Sequence, residues 1–177
     1  MVLKIAISAL AVLVVLLVFA ATRASSFRVQ KSITIHAPQE KVFSFINDLH
    51  LWETWSADDT GVGRVRKSYS GPAQGVGAVA EWSGSGRDGA ARMTITESEA
   101  PSKVLVKVDW VKPFVAHNLN EFTIDGRGDE SEVTWSIQAS NSYVMKLMGV
   151  FLDMPAEFGK HMEVGLAKLK GAAEKEK

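Results

Sequence analysis

The 177-residue chain contains no cysteine, which excludes disulfides, thiolate zinc sites, iron–sulfur clusters and a cysteine nucleophile. It also lacks a surplus of either charge. Lys and Arg number 20, Asp and Glu number 20, and no block of like charge stands out, so the electrostatic grip of a nucleic-acid binder is missing and no nucleic-acid partner is expected. There is no Walker A sequence, no H-E-x-x-H, no G-x-S-x-G and no N-glycosylation sequon, which removes the common motif-defined hydrolase and nucleotide-binding classes. The length fits one domain with one appendage and is too short for a multidomain machine.

Several short strings imitate functional motifs. Gly84-Ser85-Gly86-Arg87-Asp88-Gly89 matches G-x-G-x-x-G, but that fingerprint works only between a strand and a helix. Here it separates two strand-like runs and ends in the turn dipeptide Asp88-Gly89, so it reads as a hairpin. His161-Met162-Glu163 resembles the start of a zinc-deaminase signature whose cysteines this chain does not have. The four histidines, His36, His50, His117 and His161, are scattered. Asp58-Asp59 reads as a solvated pair in a polar loop, with cation binding or acid–base work as the sharper alternative. No metal or cofactor is implied.

What is present begins at the N-terminus. From Ile5 to Thr22 no residue is charged, with Lys4 and Arg23 as flanks. As a helix, at about 1.5 Å per residue, this run spans roughly 27 Å, close to one hydrocarbon thickness. A cleaved signal has a shorter apolar region and a small-x-small cleavage site, of which Thr22-Arg23-Ala24 is a poor version. The expectation is therefore a retained single-pass anchor over residues 1–27 including a short linker, with a cleaved export signal or a soluble buried helix as alternatives. Basic residues flank both ends, so orientation is weakly specified. The rest, 28–177, loses only Lys4 and Arg23 of the charged residues, leaving 18 basic against 20 acidic, or −2.

In that domain Ser32 to His36 alternates as a half-buried strand. Pro38 and Glu40 open a short helix with Val42, Phe43, Phe45 and Ile46 on one face, and Asp48 caps a second carrying Leu49, Leu51, Trp52 and Trp55. Strands follow near 63–70, 77–83, 90–97, 103–111, 115–125 and 132–139, separated by Gly- and Pro-rich turns. Val104, Val106, Val108 and Trp110 share one face of a strand; Asn118, Asn120, Phe122 and Ile124 share one in the next; Val133, Trp135 and Ile137 follow. The last segment is a helix with Phe158, Met162, Leu166, Leu169 and Ala173 in a stripe, which Pro155 either opens or kinks out of a longer helix from Tyr143. The layout is α+β: a meander of antiparallel strands covered on its dry face by one amphipathic helix.

All five tryptophans fall in this part. They fill a core or line a cavity, and Met93, Met154 and Met162 add thioether surface suited to an irregular apolar guest. Asn118 and Asn120 are the odd members. Either they carry amides into the interior and need partners there, or they sit at the strand's wet end, the simpler reading. The candidate cavity set is Trp52, Trp55, Trp82, Met93, Trp110, Asn118, Asn120, Phe122, Trp135, Met154, Phe158 and Met162, with no catalytic residue assigned.

The opening strand, Ala37-Pro38-Gln39-Glu40-Lys41-Val42-Phe43 and Asp48-Leu49-His50-Leu51-Trp52-Glu53-Thr54-Trp55 together resemble the polyketide cyclase/dehydrase branch of the START-like SRPBCC superfamily. The likeness continues through Ala116-His117-Asn118, Glu121-Phe122-Thr123, Val133-Thr134-Trp135 and Met145-Lys146-Leu147-Met148-Gly149. It implies a helix-grip (START-like) fold, a curved antiparallel sheet wrapped around a long C-terminal helix over a hydrophobic cavity. Relatives bind lipids, sterols, polyketides or other apolar molecules, and a few catalyse cyclisation or dehydration. The shared Pro38, Trp52 and Trp55 carry over as fold markers. Three functions follow as expectations. The first is a membrane-anchored, non-catalytic protein that binds an apolar small molecule or lipid. The second is a cyclase or dehydratase with His117 and Asn118 as its adjacent candidates, and the third is a protein-interaction or stress-response scaffold.

Overall fold

The computed structural model describes residues 1–56, 65–84, 89–112, 115–140, 143–150 and 152–175. Asp58-Asp59, most of the Gly84–Gly89 run, Pro113 and Phe151 lie outside them. The chain opens with helix α1 (Val2–Thr22), followed by β1 (Ser26–Ile35), α2 (Gln39–Asn47), α3 (Trp52–Trp55), β2 (Val65–Ser70), β3 (Val79–Gly84), β4 (Ala90–Glu99), β5 (Lys103–Lys112), β6 (Ala116–Arg127), β7 (Glu130–Ser140), α4 (Tyr143–Met148) and α5 (Met154–Lys175). The strands form one seven-stranded sheet in the order β1-β7-β6-β5-β4-β3-β2, with every pairing antiparallel. A meander with short turns accounts for β2 to β7, and β1 returns to pair with the last strand. Irregular register in β4 between Ile95 and Glu97 is the kind of bulge that bends a strand and adds twist.

The first strand starts earlier than the alternation from Ser32 implies. β7 pairs with β1 from Ser26↔Ser140 to Ile35↔Ser131, so the backbone groups of 26–31 that face β7 are paired in the ladder. Inward parity runs Phe27, Val29, Lys31, Ile33, Ile35. Lys31 interrupts the apolar pattern, and its ammonium is taken up by Glu163 on α5. Only Arg23, Ala24 and Ser25 therefore separate α1 from the sheet.

The Asp48 cap also shifts. Its carboxylate accepts the His50 amide at 2.9 Å and its carbonyl accepts that of Leu51 at 3.1 Å, so it holds a turn, and the helix proper begins at Trp52. Of the two readings of Pro155, the structure shows the first: α4 and α5 are separate, and the Asp153 carboxylate caps α5 by accepting the Ala156 amide at 3.1 Å.

Helix α5 buries Met162, Leu166, Leu169 and Ala173 against the inner face of the sheet, where Ile35, Val104, Val106 and Val133 are fully buried. Its Gly159 permits close approach to β1: a Cβ there would lie 3.2 Å from Lys31 Cε. Lys170 Nζ donates to the Thr34 carbonyl at 2.7 Å and the His36 amide donates to Glu174 at 2.8 Å, which fixes the far end of the helix on the same strand.

Helix α2 is held over β6 by a similar absence of side chain. Gln39 Nε2 donates to the Ile124 carbonyl at 2.7 Å, passing over Gly126, where an added Cβ would stand 2.8 Å from Gln39 Cβ. Gly126→Ala is expected to push α2 off the sheet and lower stability by about 1–3 kcal/mol, as overpacking does. Urea unfolding followed by tryptophan fluorescence measures it, and an unchanged midpoint would show that α2 can shift without loss.

Candidate functional site

The two helical tryptophans are placed by backbone chemistry. The last carbonyls of a helix have no partner within it, and α2 offers those of Phe45 and Ile46. Trp52 Nε1 donates to Ile46 O at 2.8 Å and Trp55 Nε1 to Phe45 O at 3.1 Å, which locks α3 beneath the sheet. Their rings meet Phe122 edge-on at centroid distances of 5.6 and 6.0 Å, and Phe122 stacks on Trp135 at 5.0 Å.

A second aromatic pair forms across three strands. Trp82 and Trp110 both flank Ala91 in register. Because the residue between them is small, the two indoles meet over it, edge to face at 5.4 Å. Between these two aromatic groups and the N-terminal half of α5 lies a cavity of about 290 Å³, at the small end of the range for small-molecule sites.

Nine of the expected residues border this space: Trp52, Trp82, Met93, Trp110, Asn118, Asn120, Trp135, Met154 and Phe158. Trp55, Phe122 and Met162 stand behind the wall, each fully buried, because the α3 turn and the inner layer of β6 and α5 press them into the core. Val108, Ile137, Ser56, Glu157 and His161 also line the cavity. Glu157 and His161 are one turn apart on α5; their polar character made them look like outward residues, and only the placement of Trp135, whose ring lies 6.2 Å from that of His161, brings them to the mouth.

The wet-end reading of the two asparagines is corrected. Both are buried on the inner face, at 7% and 5% exposure, flanked by Val106 and Val108 of β5 and by Ile137 and Ala139 of β7. Asn120 Nδ2 donates to Asn118 Oδ1 at 3.0 Å, and Trp135 Nε1 donates to Asn120 Oδ1 at 3.0 Å.

His117, the adjacent candidate for proton transfer, points the other way. It lies on the outer face with its ring 57% exposed and 2.6 Å from Asp109. Asp109 also meets Lys107 at 3.0 Å. Burial alone would raise the Asp109 carboxyl, but the hydrogen bonds from Lys107 and His117 outweigh it and hold it below its usual value. His117 and Asn118 thus face opposite sides, as neighbours on a strand must. Among the described residues no group of three or more His, Asp and Glu is placed to hold a metal.

Beside the cavity, Glu53 accepts from the Tyr69 hydroxyl at 2.7 Å and meets Lys67 at 3.2 Å, while the His50 ring stacks on Tyr69 at 4.0 Å. The hydrogen bonds from Tyr69 and Lys67 hold the Glu53 carboxyl below its ordinary 4.5. Burial, then Glu53 itself, pushes the Tyr69 phenol above its usual range. A carboxyl depressed in the folded state stabilises above its unfolded value, and that contribution fades as pH falls through the folded one. Stability is therefore expected to decline as pH drops below 4.5, and Glu53→Gln to make the decline shallower in thermal melts between pH 6 and 3. Identical slopes in both proteins would show that the Tyr69–Glu53 bond contributes nothing.

A family model described as polyketide cyclase / dehydrase and lipid transport matches residues 26–174. The chain belongs to this family. No curated protein matches by sequence. Among solved structures, protein CV1439 from Chromobacterium violaceum is 12% identical with a TM-score of 0.60, over 85% of this chain and 97% of that one. Ara h 8.0201 is 10% identical with a TM-score of 0.58, over 84% and 97%. DynU16, a protein of the dynemicin biosynthetic locus, is 14% identical with a TM-score of 0.56, over 85% of this chain and 48% of that one. At these identities the likeness is one of fold, and it is the helix-grip arrangement described above. The family region begins where β1 begins, so α1 lies outside it.

In α1 only Ala20 is buried, and the helix is long and apolar enough to cross a membrane. Its C-terminal part rests on α4: Tyr143 donates to Leu17 O at 3.0 Å and Arg23 to Gly149 O at 3.4 Å. A groove of about 460 Å³ opens at this junction, lined among others by Phe27, Leu152 and Met154. Met154 also borders the cavity, and the Phe27 ring lies 5.4 Å from that of Phe158, so the groove and the cavity share a wall.

Proposed function

We propose that this polyketide cyclase/dehydrase family member is a membrane-tethered, non-catalytic binding protein that takes an apolar small molecule or lipid into the cavity under α5. The observation that carries this reading is the lining, indole, thioether and aliphatic side chains around a space of about 290 Å³. Each Å² of apolar ligand surface removed from water contributes about 25 cal/mol, so such a guest needs few polar contacts.

The membrane part rests on α1, whose apolar side chains are exposed along its length and would be covered by lipid. Residues 1–27 then serve as anchor and linker and 28–177 as the binding domain, with β1 reaching back to Ser26. The groove beside the end of α1 lies where a lipid-borne ligand would leave the bilayer. Native mass spectrometry of the full chain released from detergent is expected to retain one apolar molecule per chain. Apoprotein alone, with no uptake of a hydrophobic dye above empty micelles, would overturn the reading.

A second reading, a cyclase or dehydratase, draws on Glu157 and His161, two titratable residues one turn apart on α5 that both line the cavity. It requires that His161→Ala abolish product formation while ligand uptake is retained.

A further inference from the structure

The inner amides of β6 form a one-way chain, and its direction is set by chemistry. An indole nitrogen can only donate, so the contact of Trp135 Nε1 with Asn120 at 3.0 Å requires the Asn120 oxygen at that position. This turns the Asn120 amino group towards Asn118, whose oxygen accepts it at 3.0 Å. The Asn118 oxygen being occupied, its amino group is the end of the chain. Among the described residues nothing accepts from that group, although Asn118 is only 7% exposed. Every side-chain nitrogen or oxygen sealed away from open space has a partner, so the Asn118 nitrogen borders the cavity that this residue lines.

We propose that Asn118 is the specificity-determining donor of the cavity, oriented through Asn120 by Trp135, and that the bound molecule is apolar with a carbonyl oxygen placed against it. The inference rests on the binding reading above and names the chemistry of its ligand. A pure hydrocarbon would leave a nine-tenths buried donor unpaired, which is costly. A hydroxyl oxygen could accept from Asn118, but its own proton would then need an acceptor. The cross-strand neighbours of Asn118 are Val108 and Ala139, which supply none beside it; the acceptors elsewhere in the lining, Ser56, Glu157 and His161, belong to the end of α3 and to α5 and not to the strands that flank Asn118. A carbonyl satisfies the donor and adds no donor of its own.

The test uses the full chain in lipid nanodiscs and two rigid probes of the same outline, 9-fluorenone and fluorene, which differ by a carbonyl in place of a methylene. Binding is measured against empty nanodiscs, and the infrared carbonyl band of bound fluorenone is recorded. Fluorenone is expected to bind about tenfold more tightly than fluorene, the equivalent of about 1.4 kcal/mol, with its carbonyl band shifted to lower wavenumber. Asn118→Leu keeps the size of the side chain and is expected to bring the ratio to about one and abolish the shift. Trp135→Phe, which removes the orienting N–H together with one ring of the indole, is expected to reduce the ratio below about threefold; circular dichroism confirms the fold of each variant.

Equal binding of the two probes by the wild-type chain, or a preference that survives in Asn118→Leu, overturns the assignment while leaving the cavity as a binding site. Loss in Asn118→Leu with full retention in Trp135→Phe overturns the relay. Failure of both probes to bind at all overturns the binding reading itself.

Discussion

Phe122→Ala is expected to lower the unfolding free energy by about 3–5 kcal/mol, the range for removing a buried phenyl ring from a core that cannot close around the gap. Phe122 is fully buried and its ring touches three indoles, those of Trp52, Trp55 and Trp135. None of these can move into the space freely. Trp52 and Trp55 are tied to α2 carbonyls, and Trp135 is tied to Asn120. For a domain of this size the loss corresponds to a fall in melting temperature of roughly 6–20 °C. Thermal and urea unfolding of the full chain in detergent measure it; a loss under about 1 kcal/mol would mean that the cluster repacks and that its hydrogen bonds do not hold it in place.

Val108→Trp is expected to abolish uptake of an apolar ligand with a far smaller effect on the fold. Val108 is on the inner face of β5 opposite Asn118 and lines the cavity, so a larger ring there occupies the space the ligand would take. Apparent affinity for a hydrophobic dye should fall tenfold or more, a loss of at least about 1.4 kcal/mol, while stability changes by no more than the roughly 1–3 kcal/mol of an overpacked site. Leu119→Trp provides the control, since Leu119 is exposed on the opposite face. If both variants bind dye like the wild-type chain, the dye sits outside the cavity and the proposed function loses its site.

Much of the architecture was legible in local patterns. Period-two alternation in Val104-Val106-Val108 and in Phe122-Ile124, turn residues between the runs, and the stripe Met162-Leu166-Leu169-Ala173 fixed element type and the buried side of each, since these depend on near neighbours along the chain. The apolar run of α1 was equally plain, as was the likeness to the family that residues 26–174 match.

The tertiary structure decided what depends on register and on cover. That Trp82 and Trp110 meet over Ala91 follows from how β3, β4 and β5 align, a relation between residues far apart in sequence. The parity of Asn118 and Asn120 with Phe122 could be read from the strand, but the depth at which they lie could not, because it depends on the residues that β5 and β7 bring beside them. Lys31 broke the pattern of β1 and hid its first half until Glu163 of α5 stood opposite. Glu157 and His161 reached the cavity mouth for the same reason. A helix stripe specifies what is buried, whereas the residues flanking it acquire their role only from the surface laid beside them.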